Sequence, residues 1–247
     1  MKAVSTASGS VPSYCRVLEE DPDLAEGIDP SLRAQAIETV LARDIQIPAG
    51  SWRPLPKKFE DGLGMLVLDG VLIHRVGIDR RFGVELIGEG DLLRPPPWHA
   101  ESMLVMTNDW LVLEPARLAV LDERFVRHLA QFPQLGGQLI SRAVQRSREL
   151  AVNMAIVHQA RVDARLHLLF WHLAGRWGRV RSDGVFIPLR LTHAVLSDLV
   201  AARRPTVTSA LSDLSRRGMV RAVRDGWLLS GDPPGPSDPP ARPNGRP

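Results

Sequence analysis

The segment LTHAVLSDLVAARRPTVTSALSDLSRRGMV, residues 191–220, reads as two helices joined by a tight turn. Thr192 is placed to cap a first helix over His193–Val200, because its hydroxyl can accept from an orphan amide of the first turn. Ala201-Ala202-Arg203 makes a short turn. A second helix starts near Arg204-Pro205, where proline is tolerated because first-turn amides have no helical partner. It ends at Arg217-Gly218, with glycine as a left-handed cap. Val207, Ala210, Leu211 and Leu214 fall on one face of this helix and pack inward. Arg204, Thr208, Ser212 and Arg216 fall on the other, with Pro205 and Ser209 beside them.

Working outward, RAVRDGWLLS (221–230) offers two short strands around Asp225-Gly226. RVRSDGVFIPL (179–189) offers a hairpin around Asp183-Gly184, and an apolar helix is predicted over Val162–Trp177. Helix, three-residue turn, helix and hairpin is the layout of a winged helix-turn-helix. The small, polar, cationic outer face of the second helix suits a major groove. Arg204 is best placed for a bidentate guanine or phosphate contact. Thr192, Arg203 and Thr206 sit where helix termini approach backbone phosphates. The expected DNA-contacting set is Thr192, Arg203, Arg204, Pro205, Thr206, Thr208, Ser209, Ser212 and Arg216.

The charge distribution agrees. The formal net charge of the 247 residues is +3. Residues 161–230 hold twelve Arg against five acidic residues, a net of +7, whereas residues 1–160 carry a net of −4. A basic segment of domain size points to a polyanionic partner.

Upstream, Gln134–Arg161 reads as one long helix. Its positions Ile140, Ala143, Ser147, Leu150, Met154 and Val157 are spaced 3, 4, 3, 4, 3, the pattern of a coiled-coil seam, so the helix is expected to pair with a second copy. Residues 116–132 read as two short helices, and Leu32–Leu41 as another. Residues 62–75, GLGMLVLDGVLIHR, read as two strands around a turn at Asp69-Gly70. Phe82–Ile87, Ser102–Met106 and Trp110–Leu113 are further short strands. Such strands with Gly and Pro turns suggest a small antiparallel β-barrel or roll, hence an α+β chain.

A composition of 44% hydrophobic and 24% charged residues supports a buried core and excludes a wholly disordered chain. No run approaches a membrane span, and MKAVSTASGSVPSYC lacks the apolar core of a secretion signal, so a cytoplasmic protein is expected. The single Cys15 cannot form an internal disulfide or a four-cysteine cluster. No nucleophile elbow, Walker loop or HExxH helix is present, and Gly88-x-Gly90 is too short for a nucleotide fingerprint. No enzyme, metal or cofactor is predicted. His74 and His99 are the histidines weighed as haem ligands, and Cys15 as a thiol switch.

The whole layout resembles the cyclic-AMP receptor protein/Fnr (Crp/Fnr) family of bacterial transcription factors. The resemblance is carried by DGVFIPLRLTHAVLSDLVAARRPTVTSALSDLSRRGMV (183–220), and more weakly by LVLDG (66–70) and LIGEGDLL (86–93). It implies a cyclic-nucleotide-binding-like β-roll over 16–132, a dimerisation helix over 133–161 and a winged helix-turn-helix over 162–230. A flexible N-terminus, 1–15, and a disordered Pro-rich tail, 231–247, complete the expected division. The resemblance also implies a homodimer that binds an inverted-repeat site in double-stranded DNA, with RNA polymerase as a further partner.

Departures from the family pattern alter the expected effector. Members that bind a cyclic nucleotide use a Gly-Glu pair, which Gly88-Glu89 matches, then an Arg about ten residues on. That position falls near His99-Ala100, with Arg94 the nearest cation in sequence. A buried phosphate without a cationic partner is costly. The dimer-helix hydroxyls that touch the base align with Leu150 and Ala151. The candidate effector pocket is thus Gly88, Glu89, Arg94, His99, Leu150 and Ala151, and cyclic AMP is not expected in it. Pro205 and Ser209 replace a Glu and an Arg of the best-known members, so the operator should differ. Ala201 replaces a turn glycine and Arg203 a Ser cap, each costing about 1 kcal/mol. The alternative reading is a ligand-sensing or partner-docking module, responsive to a cyclic nucleotide, haem or another effector, whose winged helix contacts protein.

Overall fold

A computed structural model describes residues 13–54, 62–79, 81–94 and 104–235. The chain divides into two units, residues 1–150 and 151–247. In the first unit the elements are β1 (Ser13–Arg16), α1 (Val17–Glu20), α2 (Pro30–Thr39), β2 (Leu41–Ile47) and β3 (Gly50–Trp52), then β4 (Gly64–Ile78), β5 (Arg81–Ile87), β6 (Leu92–Leu93), β7 (Thr107–Leu121) and α3 (Glu123–Leu129). Helix α4 (Pro133–Val157) begins in this unit and ends in the next.

The antiparallel sheet runs β1-β2-β7-β4-β5, with β3 on β7 and β6 on β4. Parts of its two 15-residue strands, residues 64–68 of β4 and 118–121 of β7, are buried on both faces. Met65 and Val67 of β4, with Leu118 and Val120 of β7, join the interior of the roll, beside Leu72, Ile87 and Trp110. Their neighbours Leu66, Leu68, Ala119 and Leu121 point the other way, into a second core with Leu18, Leu24, Phe125, Phe132, Leu135 and Leu139. Helices α1, α2, α3 and the start of α4 therefore cover the outer face of the sheet.

Several expectations are corrected by this arrangement. Asp69-Gly70 is not a hairpin turn but a bend inside the continuous strand β4, where the register against β7 shifts. Gly70 has φ +94, and a Cβ there would lie 2.6 Å from the Ala116 Cα, so only glycine lets the two backbones approach. Residues 116–121 are strand, not helix, and α3 is the one helix of 116–132. Pro115 sits opposite the irregular stretch of β4, where the missing amide costs no ladder bond. Ser13–Cys15 are strand: they pair with Ala42–Asp44 of β2, a strand the sequence pattern did not reveal. Leu104–Met106 lie outside any strand, since β7 starts at Thr107, while Ser102 and Met103 fall outside the described residues. The long helix stops at Val157 rather than Arg161, because Arg161 is extended as the N-cap of the next helix.

The second unit contains α5 (Val162–Trp177), β8 (Arg179–Arg181), β9 (Gly184–Ile187), α6 (His193–Leu199), α7 (Arg204–Arg216), β10 (Val220–Val223) and β11 (Gly226–Leu229). These match the expected order closely. Leu166, Leu169, Phe170 and Leu173 of α5 are buried, as are Val195, Leu196 and Leu199 of α6 and Val207, Leu211 and Leu214 of α7. The sheet order is β10-β11-β9-β8, and Phe170 packs on Trp227 with ring centroids 4.9 Å apart. Residues 231–235 are in neither helix nor strand, and the rest of the Pro-rich tail lies outside the described residues. Among the described residues no helix is long and apolar enough to cross a membrane.

Candidate functional site

The helix-turn-helix is built from local signals. Thr192 Oγ1 accepts from the Val195 amide at 3.2 Å, the N-cap that starts α6. Ala201 takes φ +47, and a left-handed non-glycine residue costs about 1 kcal/mol. Arg203 caps α7 with its backbone alone, and Gly218 at φ +70 ends that helix.

Helix α7 exposes Arg204, Pro205, Thr206, Thr208, Ser209, Ser212 and Arg216, and Arg203 is exposed just before it. Three hydroxyls donate back to carbonyls four residues earlier: Thr208 to Arg204, Ser209 to Pro205 and Ser212 to Thr208. Their lone pairs remain free to accept from a base-edge amino group. His193 Nδ1 lies 3.0 Å from Thr208 Oγ1, so the start of α6 orients one of these hydroxyls, a contact that sequence spacing did not suggest.

Eight arginines of this unit fall into two groups; beyond them Arg165, Arg179 and Arg181 also pair with no carboxylate among the described residues, Arg165 donating to backbone carbonyls and Arg181 lying over the Phe186 ring. Arg161 and Arg217 share Asp163, Arg190 pairs with Asp225, and Arg216 pairs with Asp213 on its own helix. Arg203, Arg204, Arg221 and Arg224 face no carboxylate among the described residues. The last two lie on β10 and in the turn to β11, the wing, where helical periodicity does not single them out. Their signal was present as two arginines flanking Ala222-Val223 before an Asp-Gly turn. Arg216 is 74% exposed, so its ion pair is weak and easily exchanged for a phosphate.

On α4, the expected seam residues Ile140, Ala143, Ser147, Leu150 and Met154 are all exposed, and Val157 is half-buried. Ile140 and Met154 are 68% and 64% exposed. The adjacent side of the helix meets its own roll: Leu135 and Leu139 are buried, Arg142 pairs with Asp21, and Arg146 pairs with Glu85.

In the candidate effector region, Gly88–Asp91 forms a turn closed on itself. The Gly88 amide donates to Asp91 Oδ2 at 2.8 Å, and the Gly90 amide donates to Val67 O at 2.8 Å. Gly88 is buried and Glu89 and Arg94 are exposed, whereas His99 lies outside the described residues. Helix α4 reaches this turn through Arg142, which donates to Gly90 O at 3.3 Å, and Arg146, which donates to Leu92 O. Leu150 and Ala151 are exposed instead.

The sequence reading did not assemble the network behind this turn. His74 stacks on Trp110 at 4.1 Å, contacts Glu85 through Nδ1 at 2.9 Å, and contacts Asn108 Oδ1 through Nε2 at 3.2 Å. Its two nitrogens are thus both engaged, which leaves neither free for a haem iron. The register of the β4–β5 hairpin sets His74 opposite Glu85, the signal that could have found the pair. Burial alone would raise the Glu85 carboxyl, but His74 and Arg146 outweigh it and hold the group below its ordinary range. Burial, with Asp44 and Glu20 nearby, pushes the Cys15 thiol up to about 11, so it is no thiolate at neutral pH. No cluster of three metal-ligating side chains occurs among the described residues.

Comparison with known proteins bears on the fold and the family. A model of the Crp-like helix-turn-helix domain matches residues 164–233. A CRP-like cAMP-activated global transcriptional regulator of Mycobacterium tuberculosis is 25% identical over 213 residues, spanning 83% of this chain and 91% of that protein. Among solved structures, a CooA mutant from Carboxydothermus hydrogenoformans superposes with a TM-score of 0.61 at 17% identity, covering 88% of this chain and 90% of that one. The c-di-GMP responsive global regulator CLP of Xanthomonas campestris gives 0.58 at 17% identity, covering 83% and 100%. At such identities the structural likeness speaks for the fold.

Proposed function

The chain belongs to the Crp/Fnr family of transcriptional regulators, and on that premise we propose that it is a cytoplasmic homodimer that binds an inverted-repeat site in double-stranded DNA. The observation that carries the DNA reading is the set of uncompensated arginines. Arg203 and Arg204 flank the start of α7, Arg221 and Arg224 lie on the wing, and the exposed hydroxyls of Thr208, Ser209 and Ser212 run between. Uncompensated cations on one motif favour phosphate contacts, and the hydroxyls and Arg204 supply base readout. Thr192, Thr206, Pro205 and Arg216 complete the proposed contact surface.

The exposed apolar stripe on α4 supports the homodimer. Stripes of this width are normally buried, and a parallel copy offers a complementary surface by symmetry. Such a dimer would set two recognition helices about one DNA turn, ~34 Å, apart. RNA polymerase is the partner through which a bound dimer would alter transcription.

Cyclic AMP is not the proposed effector. Leu150 and Ala151 have no hydrogen-bonding side chains, and the interior core of the roll is apolar, built around Met65, Leu72, Leu93 and Trp110. The mycobacterial relative, by contrast, is a cAMP-activated regulator. Calorimetric titration with cyclic AMP and cyclic GMP therefore decides the point: no heat is expected, and tight binding would overturn this part.

The central experiment is selection of bound duplexes from random DNA. A palindromic consensus with salt-sensitive affinity is expected. Recovery of no enriched sequence would refute the reading in favour of a module that docks on protein. Arg204→Ala should weaken binding to the selected duplex, and unchanged affinity would remove Arg204 from the surface.

A further inference from the structure

Arg165, in the first turn of α5, donates to three backbone carbonyls. Its Nε donates to Gln159 O at 2.6 Å, in the short junction between α4 and α5. Its Nη1 donates to Val200 O at 3.1 Å and to Ala201 O at 3.4 Å. Those two carbonyls lie at the end of α6 and in the turn that leads to the recognition helix. Helix ends leave carbonyls unpaired, and a cation there meets the negative end of the helix dipole. Arg165 also has no ion pair with a carboxylate among the described residues, unlike its neighbour Arg161.

The turn it grips is the strained one. Ala201 adopts φ +47 without being glycine, and the Ala202 amide donates back to Ser197 O at 3.0 Å. A planar guanidinium with fixed donor directions suits this clamp in a way that an ammonium does not. We propose that Arg165 is a positioning residue for DNA binding. It holds the left-handed turn at Ala201, so sets how α7 is presented, and it couples that turn to the backbone at Gln159. A change in the α4–α5 junction then reaches the recognition helix through one side chain. The inference rests on the DNA-binding reading above.

The test uses the full-length chain with Arg165→Met, Ala201→Gly and the double variant. Affinity is measured on the duplex selected by the parent protein, across a salt series, and amide hydrogen exchange is measured without DNA. Arg165→Met should weaken binding roughly tenfold or more, as expected for loss of charged hydrogen bonds. The salt slope should stay as in the parent, because Arg165 touches no phosphate. The Ala202 and Arg203 amides should exchange faster. Ala201→Gly in the Arg165→Met background should recover most of the affinity, since glycine adopts the turn unaided.

Parental affinity for Arg165→Met would overturn the proposal. A salt slope shallower by about one would also overturn it, by making Arg165 a phosphate contact. Absence of recovery in the double variant, with unchanged exchange at the turn, would do the same. If both Arg165→Met proteins fail to fold, the residue is a stabiliser and not a positioning device. Should the parent select no DNA, the DNA-binding reading fails, while exchange at Ala202 still judges the clamp.

Discussion

Removing the two wing arginines together gives a quantitative test of the interface. Arg203, Arg204, Arg221 and Arg224 face no carboxylate among the described residues, so a dimer would present eight such cations at its recognition helices and wing strands β10–β11. If each neutralises one phosphate, log K should fall against log salt with a slope of about −7, at about −0.9 per contact. Arg221→Ala with Arg224→Ala removes half of them, and the slope should shrink to about −3.6. Between about 50 and 200 mM salt the parent would then lose about four orders of magnitude in affinity, and the variant about two. The loss at low salt should be similar on the selected duplex and on a permuted one, because phosphate contacts carry no sequence information. Fluorescence anisotropy of labelled duplexes across a potassium chloride series measures both. Arg127→Ala serves as control, since Arg127 is already paired with Glu123 on α3. A wing variant whose slope stays within about one of the parent would refute the idea that uncompensated arginines mark the phosphate contacts.

Three further outcomes are expected. Glu substituted for both Ile140 and Met154 should yield monomers in sedimentation velocity with unchanged far-UV dichroism, because both side chains are exposed; a persisting dimer would dismiss the stripe as the seam. His167 is held below its ordinary value, first by burial and then by Arg217, and its Nε2 accepts from Trp171 Nε1 at 3.0 Å. The unfolded chain therefore takes up the proton more readily, so the winged unit should lose stability as pH falls below about 6.5. Thermal melts of parent and His167→Gln at pH 5.5 and 7.5 check this: the variant should show a smaller difference, and equal differences would dismiss His167 as the cause. Cys15 should resist a thiol reagent at pH 7.5 until denaturant is added; rapid labelling of the native protein would contradict its buried, protonated state.

The sequence by itself determined the winged unit and the apolar stripe of α4. In both, the informative signals are local. Thr192 caps α6 within three residues, Pro205 and Gly218 bracket α7, and the hairpin turns fall at Ser182-Asp183 and Arg224-Asp225, each followed by a glycine that opens the next strand. Polar faces alternate with apolar ones at helical period because one side of each helix meets solvent.

The β-roll was decided by tertiary structure. The stretch Ala116–Leu121 shows no alternation, because Leu118 and Val120 face one core while Ala119 and Leu121 face another. A strand buried on both sides reads as a continuous apolar run, which period alone cannot tell from a helix. Gly70 signalled a turn, yet the close approach of Ala116 made it a bend. The charged contacts followed the same division. Arg146 meets Glu85, and Arg142 meets Asp21, across long sequence separations that no local spacing encodes. Local chemistry thus fixed the elements of the winged unit, while the roll owes its strand pairing and its buried charges to contacts that exist only once the chain has closed.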